Sequence, residues 1–180
     1  MNGRRPRRLR RVANRAPRRR QLLIFTEGLT EIDYLTGYRR NNAESVTITF
    51  DEFHGSPKAL VDRAAKRKRA DRKAARPDKG RPYDEIWCVF DCDQHPLIPE
   101  ALQQAVDNGI GVAYSVPCIE LWFLLHFEDQ HGHLERGAAQ GRSKALLGSG
   151  KRLDRGDVTT LAERYEDAKA RAIALDVKHE

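Results

Sequence analysis

The chain has 180 residues, 39% of them hydrophobic and 33% charged, with a net charge of +7. That length suits one domain and excludes two of ordinary size, and no apolar run approaches the roughly 20 residues that cross a bilayer. Three cysteines, at 88, 92 and 118, form no Cys-x-x-Cys pair and read as reduced thiols of a cytoplasmic protein.

The charge is unevenly spread. Residues 1–20 hold ten arginines and no acid, which leaves the remainder mildly acidic. An arginine run broken by Pro6 and Pro17 cannot bury enough apolar surface to fold alone, so 1–20 reads as a disordered arm. It either tracks nucleic-acid phosphates or is a solvated tail. It has no apolar core of a signal peptide, so export is not expected.

Residues 21–180 read as a single domain. Gln21–Thr26 predicts a first strand, followed by a helix over 30–40 with Ile32 and Leu35 on its buried side. Ser45–Phe50 is β-branched and alternating, a second strand. Ser56 and Pro57 open a helix that runs through Leu60 and Ala64 into the basic run Lys66-Arg67-Lys68-Arg69 and stops before Pro77. A third strand covers Glu85–Asp91, a helix covers Leu97–Asn108 with Gly109 as its stop, and Gly111–Ser115 forms a fourth strand. The segment from Pro117 to Phe127 is apolar on nearly every face and predicts a helix buried all round. Residues 129–156 show no period. A last helix, capped by Asp157, is expected from Val158 to Leu175.

Four alternations of strand and helix predict an α/β fold with a mostly parallel, four-stranded sheet flanked by helices. Ligands of such sheets bind outside the carboxyl ends of the strands. Glu27 follows the first strand there, and Asp91 and Asp93 end the third. Carboxylates one residue apart in an extended chain point the same way, and such a pair seats a hard divalent cation that prefers oxygen. The bland reading is that aspartates after a strand form a turn and that Glu27 caps a helix. Cys92, between the aspartates, reads as a spacer. Glu120 is a carboxylate in a helix otherwise built for burial, which is costly unless it is paired or holds a ligand's shell. His126 in the same helix reads as a core histidine. Glu31, one turn beyond Glu27, reaches the site or is an ordinary exposed glutamate. Lys144 and the run 66–69 are phosphate contacts or solvated lysines and arginines, and His131-Gly132-His133 is too short for a metal site.

These motifs resemble a known family. Glu27-Gly28 after the first strand and Asp91-x-Asp93 after the third look like a Toprim core, as in topoisomerases, primases and OLD-type nucleases. More extensively, residues 20–175 resemble RloB-like proteins. The matching stretches are Glu27 to Glu31 with Tyr34, Tyr83 to Asp93, and Ala113 to Trp122 followed by Leu124 to Phe127. Val116 stands where the family has an asparagine and Ile119 where it has a phenylalanine, and the Glu27 loop is one residue shorter. The resemblance implies a Toprim-like catalytic core in bacterial restriction-linked or phage-defence systems. It implies Glu27, Asp91 and Asp93 as catalytic residues holding Mg²⁺ or Mn²⁺, with Glu27 alternatively moving a proton, and Glu120 joins the catalytic set on its costly burial, as an outer ligand or an anchor of the ligands.

The function expected is a metal-dependent nuclease acting on DNA or RNA, with nucleic acid and a partner ATPase as partners and no membrane. The alternative is a non-catalytic nucleic-acid-binding or adaptor module on the same fold. Nucleotidyl transfer has less support, because no Gly-rich phosphate loop is visible.

Overall fold

Two apolar runs of the sequence become the central strands of a sheet. In the computed structural model, which describes residues 18–74, 82–92, 95–148 and 152–177, β1 is Arg20–Thr26, β2 Val46–Phe50, β3 Glu85–Asp91 and β4 Gly111–Ser115. They form one sheet in the order β2-β1-β3-β4, and every pair is parallel. β1 and β3 are central, which explains their near-continuous apolar runs. The Leu22–Glu85 to Thr26–Val89 register sets the two strands' carboxyl ends side by side.

Parallel strands require helical returns. Among the described residues these are α1 (Leu29–Asn41), α2 (Pro57–Ala74) and α3 (Ile98–Asn108), and after β4 the chain adds α4 (Ile119–Leu125), α5 (Arg136–Leu147), α6 (Arg155–Glu163) and α7 (Tyr165–Val177). α2 and α3 cover one face, burying Leu60, Val61, Ala64, Ala65, Ala101 and Ala105 against Leu23, Phe25, Ile86, Cys88 and Phe90. α3 stops at Gly109, whose φ of 58° is the left-handed conformation glycine adopts without strain. A second cluster of Ile119, Phe123 and Leu161 packs with Tyr34 and Trp122 beyond the other face. The Val116–Pro117 peptide, leading into α4, is cis.

Several elements differ from their sequence readings. In α1 the fully buried residues are Glu31 and Gly37, not Ile32 and Leu35, which are half-buried. The stretch 129–156 contains α5. Only Ala139 and Ser143 of that helix are buried, a stripe too narrow to register as a period among its glycines and basic residues. The expected last helix is two, because the chain turns at Arg164. α6 lies against α1 and α7 against α4, and a one-residue break leaves the i, i+4 spacing intact, so periodicity cannot reveal it. The cap of α6 is Asp154, and Asp157 completes a reciprocal box: each carboxylate accepts the other's backbone N–H at 2.9 Å. β1 starts at Arg20, the last residue of the expected arm. Residues 1–17 of that arm lie outside the described residues.

Gly37 is where α6 approaches α1. A Cβ there would stand 1.6 Å from Val158 Cγ1 and 3.1 Å from its Cβ. Alanine normally gains about 1 kcal/mol over glycine within a helix, but overpacking of this kind costs about 1–3 kcal/mol. Gly37→Ala is therefore expected to lose stability in urea unfolding. Gly141→Ala in α5, where a Cβ meets nothing within 4 Å among the described residues, should gain about 0.5–1 kcal/mol. Equal effects of the two changes would refute the close approach.

Candidate active site

The chain leaves β1 in one direction to form β2 and crosses back to form β3 and β4. The strand order therefore reverses between β1 and β3, where the carboxyl ends of a parallel sheet open a crevice. Glu27 and Asp91 meet at that crevice. The Glu27 N–H donates to the Val89 carbonyl at 3.1 Å, and Glu27 Oε2 accepts the Asp91 backbone N–H at 3.3 Å. Asp91 Oδ1 accepts the Ile119 N–H at the start of α4 at 2.8 Å, and its Oδ2 accepts from the Arg136 guanidinium at 3.1 Å. One carboxylate thus joins β3, α4 and α5.

Glu31 comes to the same place from the first turn of α1. It is 5% exposed, and its Oε2 is buried with no hydrogen-bond partner among the described residues, so it is not an ordinary surface glutamate. Burial, then the negative charge of Glu31, pushes the Asp91 carboxyl up to about 7, against the Ile119 N–H and Arg136 that favour its ionised form. Burial likewise raises Glu31, and Glu27 and Glu120 add to it. Glu120, half-buried in α4, accepts a hydrogen bond from the Cys118 thiol, which burial and this carboxylate push up to about 12. Cys88 is raised to about 12 by burial alone, whereas Cys92 is only half-buried.

Glu27, Glu31, Asp91 and Glu120 therefore share one electrostatic neighbourhood. Asp93 lies outside the described residues. Among the described residues no group of three acids, histidines or cysteines is arranged to coordinate a metal as the side chains stand, and Arg136 occupies one oxygen of Asp91. The donor chemistry nevertheless fits a hard divalent cation. The donors are carboxylate oxygens, two of the acids resist ionisation, and one buried oxygen has no partner.

The imidazoles of two loops flank this edge. His54 Nδ1–H donates to the Thr26 carbonyl at 3.0 Å, and His95 Nε2 lies 4.0 Å from Glu27 Oε1. His126 is fully buried. Its Nδ1–H donates to the Trp122 carbonyl at 2.8 Å, its Nε2 lacks a partner among the described residues, and burial lowers its pKa. It is a neutral histidine within the Tyr34 and Trp122 rings. Lys144 is exposed on α5, whereas Arg136 on the same helix reaches the acids. A cavity of about 610 Å³ between the end of β4, α4 and α7 touches none of the four carboxylates.

The family model of RloB-like proteins matches residues 22–180. The chain belongs to the RloB-like family. No curated protein and no solved structure matches it. The RloB-like stretches noted in the sequence hold Glu27, Glu31, Asp91, Asp93 and Glu120, all within the matched span. Arg136 lies outside those stretches, in the part that showed no periodicity. Sequence reasoning missed it because a single arginine in an apparent loop carries no signal. For Glu31, which the sequence left between reaching the site and being an ordinary exposed glutamate, its burial beside Asp91 favours the first.

The raised acids have a consequence for stability. Between pH about 4 and 7 the folded protein holds the Asp91 proton and the unfolded chain does not. Stability should therefore fall as pH rises through this window. His126 acts oppositely, adding stability as pH rises toward 6.5. The comparison of wild type with Asp91→Asn isolates the carboxylate. In EDTA the variant should gain about 1–4 kcal/mol on wild type between pH 5 and 8, read from unfolding curves at each pH. A constant difference across that range would refute the raised acid.

Proposed function

We propose that this chain is a Mg²⁺- or Mn²⁺-dependent nuclease that hydrolyses phosphodiester bonds of DNA or RNA. The observation that supports it best is the buried, unpartnered Glu31 oxygen among the other carboxylates, at the reversal point of the sheet. A buried carboxylate oxygen left unanswered is costly, and a site built for a cation explains why it is tolerated beside other acids. Asp91, Asp93 and Glu27 would hold the ion, with Glu31 and Glu120 beside them. Such an ion supplies neutralising charge for a phosphate and makes water acidic enough to attack. This agrees with the Toprim-like core that the resemblance implies, and with a restriction-linked or phage-defence setting.

The chain's own residues supply the rest. Asp91 is fixed by Ile119 and is not free to turn away. The Arg136 side chain is 40% exposed, so its guanidinium can trade Asp91 for a phosphate oxygen, a planar match that favours arginine. Glu27, with His95 nearby, would take or return a proton. Tyr34 is not a nucleophile for strand passage: burial pushes its phenol up to about 12, and it is hydrogen-bonded to Trp122. Hydrolysis by water is the reaction these groups support.

The test is incubation of the purified chain with single- and double-stranded DNA and with tRNA, with and without Mg²⁺ or Mn²⁺. Cleavage should require the metal and fall by about a hundredfold or more in Asp91→Ala and Glu27→Ala, since each removes an electrostatic partner of the transition state. Mg²⁺ should raise the melting temperature of the wild type more than that of either variant. If a partner ATPase is needed for turnover, the metal-linked stabilisation should still appear without it. Neither cleavage nor metal-linked stabilisation on any substrate would favour the binding-module reading.

A further inference from the structure

The carboxylates hold the carboxyl edge of the sheet, and the basic residues collect at the opposite edge. In a parallel sheet each helix returns antiparallel to its strands, so helix carboxyl ends arrive where strands begin. α1 ends in Arg39 and Arg40, and α2 ends in Arg72 and Lys73. The run 66–73 of α2 holds six cations and one acid, Asp71. Side-chain contacts fix its location. Arg67 lies 5.6 Å over the Tyr83 ring, just before β3, and Lys68 donates to the Gly109 carbonyl, just before β4. Arg18 pairs with Asp84 at 2.6 Å, so the chain enters β1 at this same edge, following the seven arginines of residues 1–17.

A helix's last turn favours cations through its dipole, but that effect needs one or two. It does not account for Lys66, Arg69, Arg72 and Lys73 all exposed, beside Arg19 at the entry to β1, where Arg18 and Arg20 pair with Asp84 and Glu85. Strands of seven residues at roughly 3.3 Å each separate this edge from Glu27 and Asp91 by about 20 Å. Phosphates along one strand recur about every 3.4 Å, so a phosphate bound here lies several nucleotides from one at the carboxylates.

We propose that the amino edge of the sheet is a separate binding surface for the sugar-phosphate backbone of a nucleic acid, formed by the ends of α1 and α2 and the entry to β1. It binds without base specificity and without metal. It holds whether or not the carboxylates cleave. The regular spacing of a polyanion suits cations distributed over three segments, and their exposure lets the long side chains adjust to it.

The experiment measures binding of a fluorescein-labelled 20-nucleotide single strand and of the matching duplex to the full chain in EDTA, across a salt series. The triple variant Lys66→Glu, Arg69→Glu, Arg72→Glu should bind at least tenfold more weakly at low salt. Its log–log salt slope should be shallower by about 2–3, at roughly 0.7–0.9 per lost contact. Lys144→Glu, an exposed lysine elsewhere, should stay within about twofold of wild type. The triple Gln variant guards against misfolding of the reversed one and should give the same change in slope. Mg²⁺-linked stabilisation of the triple variants should match wild type, so failure of the carboxylate reading leaves this result intact. Equal affinities and slopes for wild type and both triple variants would overturn the proposal. So would binding to phosphatidylserine vesicles with none to either nucleic acid, which would assign the surface to a membrane.

Discussion

A carboxylate inside a protein is expensive unless every oxygen is answered, and Asp91 sets how this fold closes. Its oxygens accept the first N–H of α4 and the guanidinium of Arg136, so the strand that carries it, the helix after β4 and the helix beyond are referred to one side chain. The adjoining Glu27 accepts the backbone N–H of Asp91, extending the β1–β3 pairing past the last ladder residue. Local structure and the candidate site are the same set of bonds. What tightens the one aims the other.

The answer is incomplete, because Glu31 is buried with an oxygen unpartnered and Asp91 is held partly protonated near neutral pH. Proteins tolerate such groups where a ligand or a proton transfer makes use of them. The surrounding core supplies the rigidity needed to keep like charges together. Phe25, Phe90 and Phe123 are almost wholly buried, and Tyr34, Trp122 and His126 interlock edge to face around α4. This packing prevents the acids from relieving their repulsion by moving apart.

The strands were legible because β1 and β3 are central, with hardly an exposed residue, and read as nearly unbroken apolar runs. Their meeting at Glu27 and Asp91 followed from the fold class alone. α5 was illegible because two small buried residues, Ala139 and Ser143, leave no hydrophobic stripe. With α5 went Arg136, whose role depends on a contact 45 residues away in the chain. The turn at Arg164 was hidden for another reason. Leu161, Tyr165 and Ala168 keep helical spacing across it, while α6 and α7 follow different partners. Glu31 was visible as a residue but not as a buried one, since burial depends on what α4 brings against α1.

The three cysteines divide into unequal classes. Cys88 and Cys118 are buried, and their thiols are held far from ionisation, so alkylating reagents meet almost no thiolate there. Cys92 is half-buried and follows Asp91 at the mouth of the crevice. A maleimide or nitroxide label therefore goes first to the residue adjoining the candidate site. The native chain carries its own single attachment point for a probe of that crevice, with no engineered cysteine and none to remove.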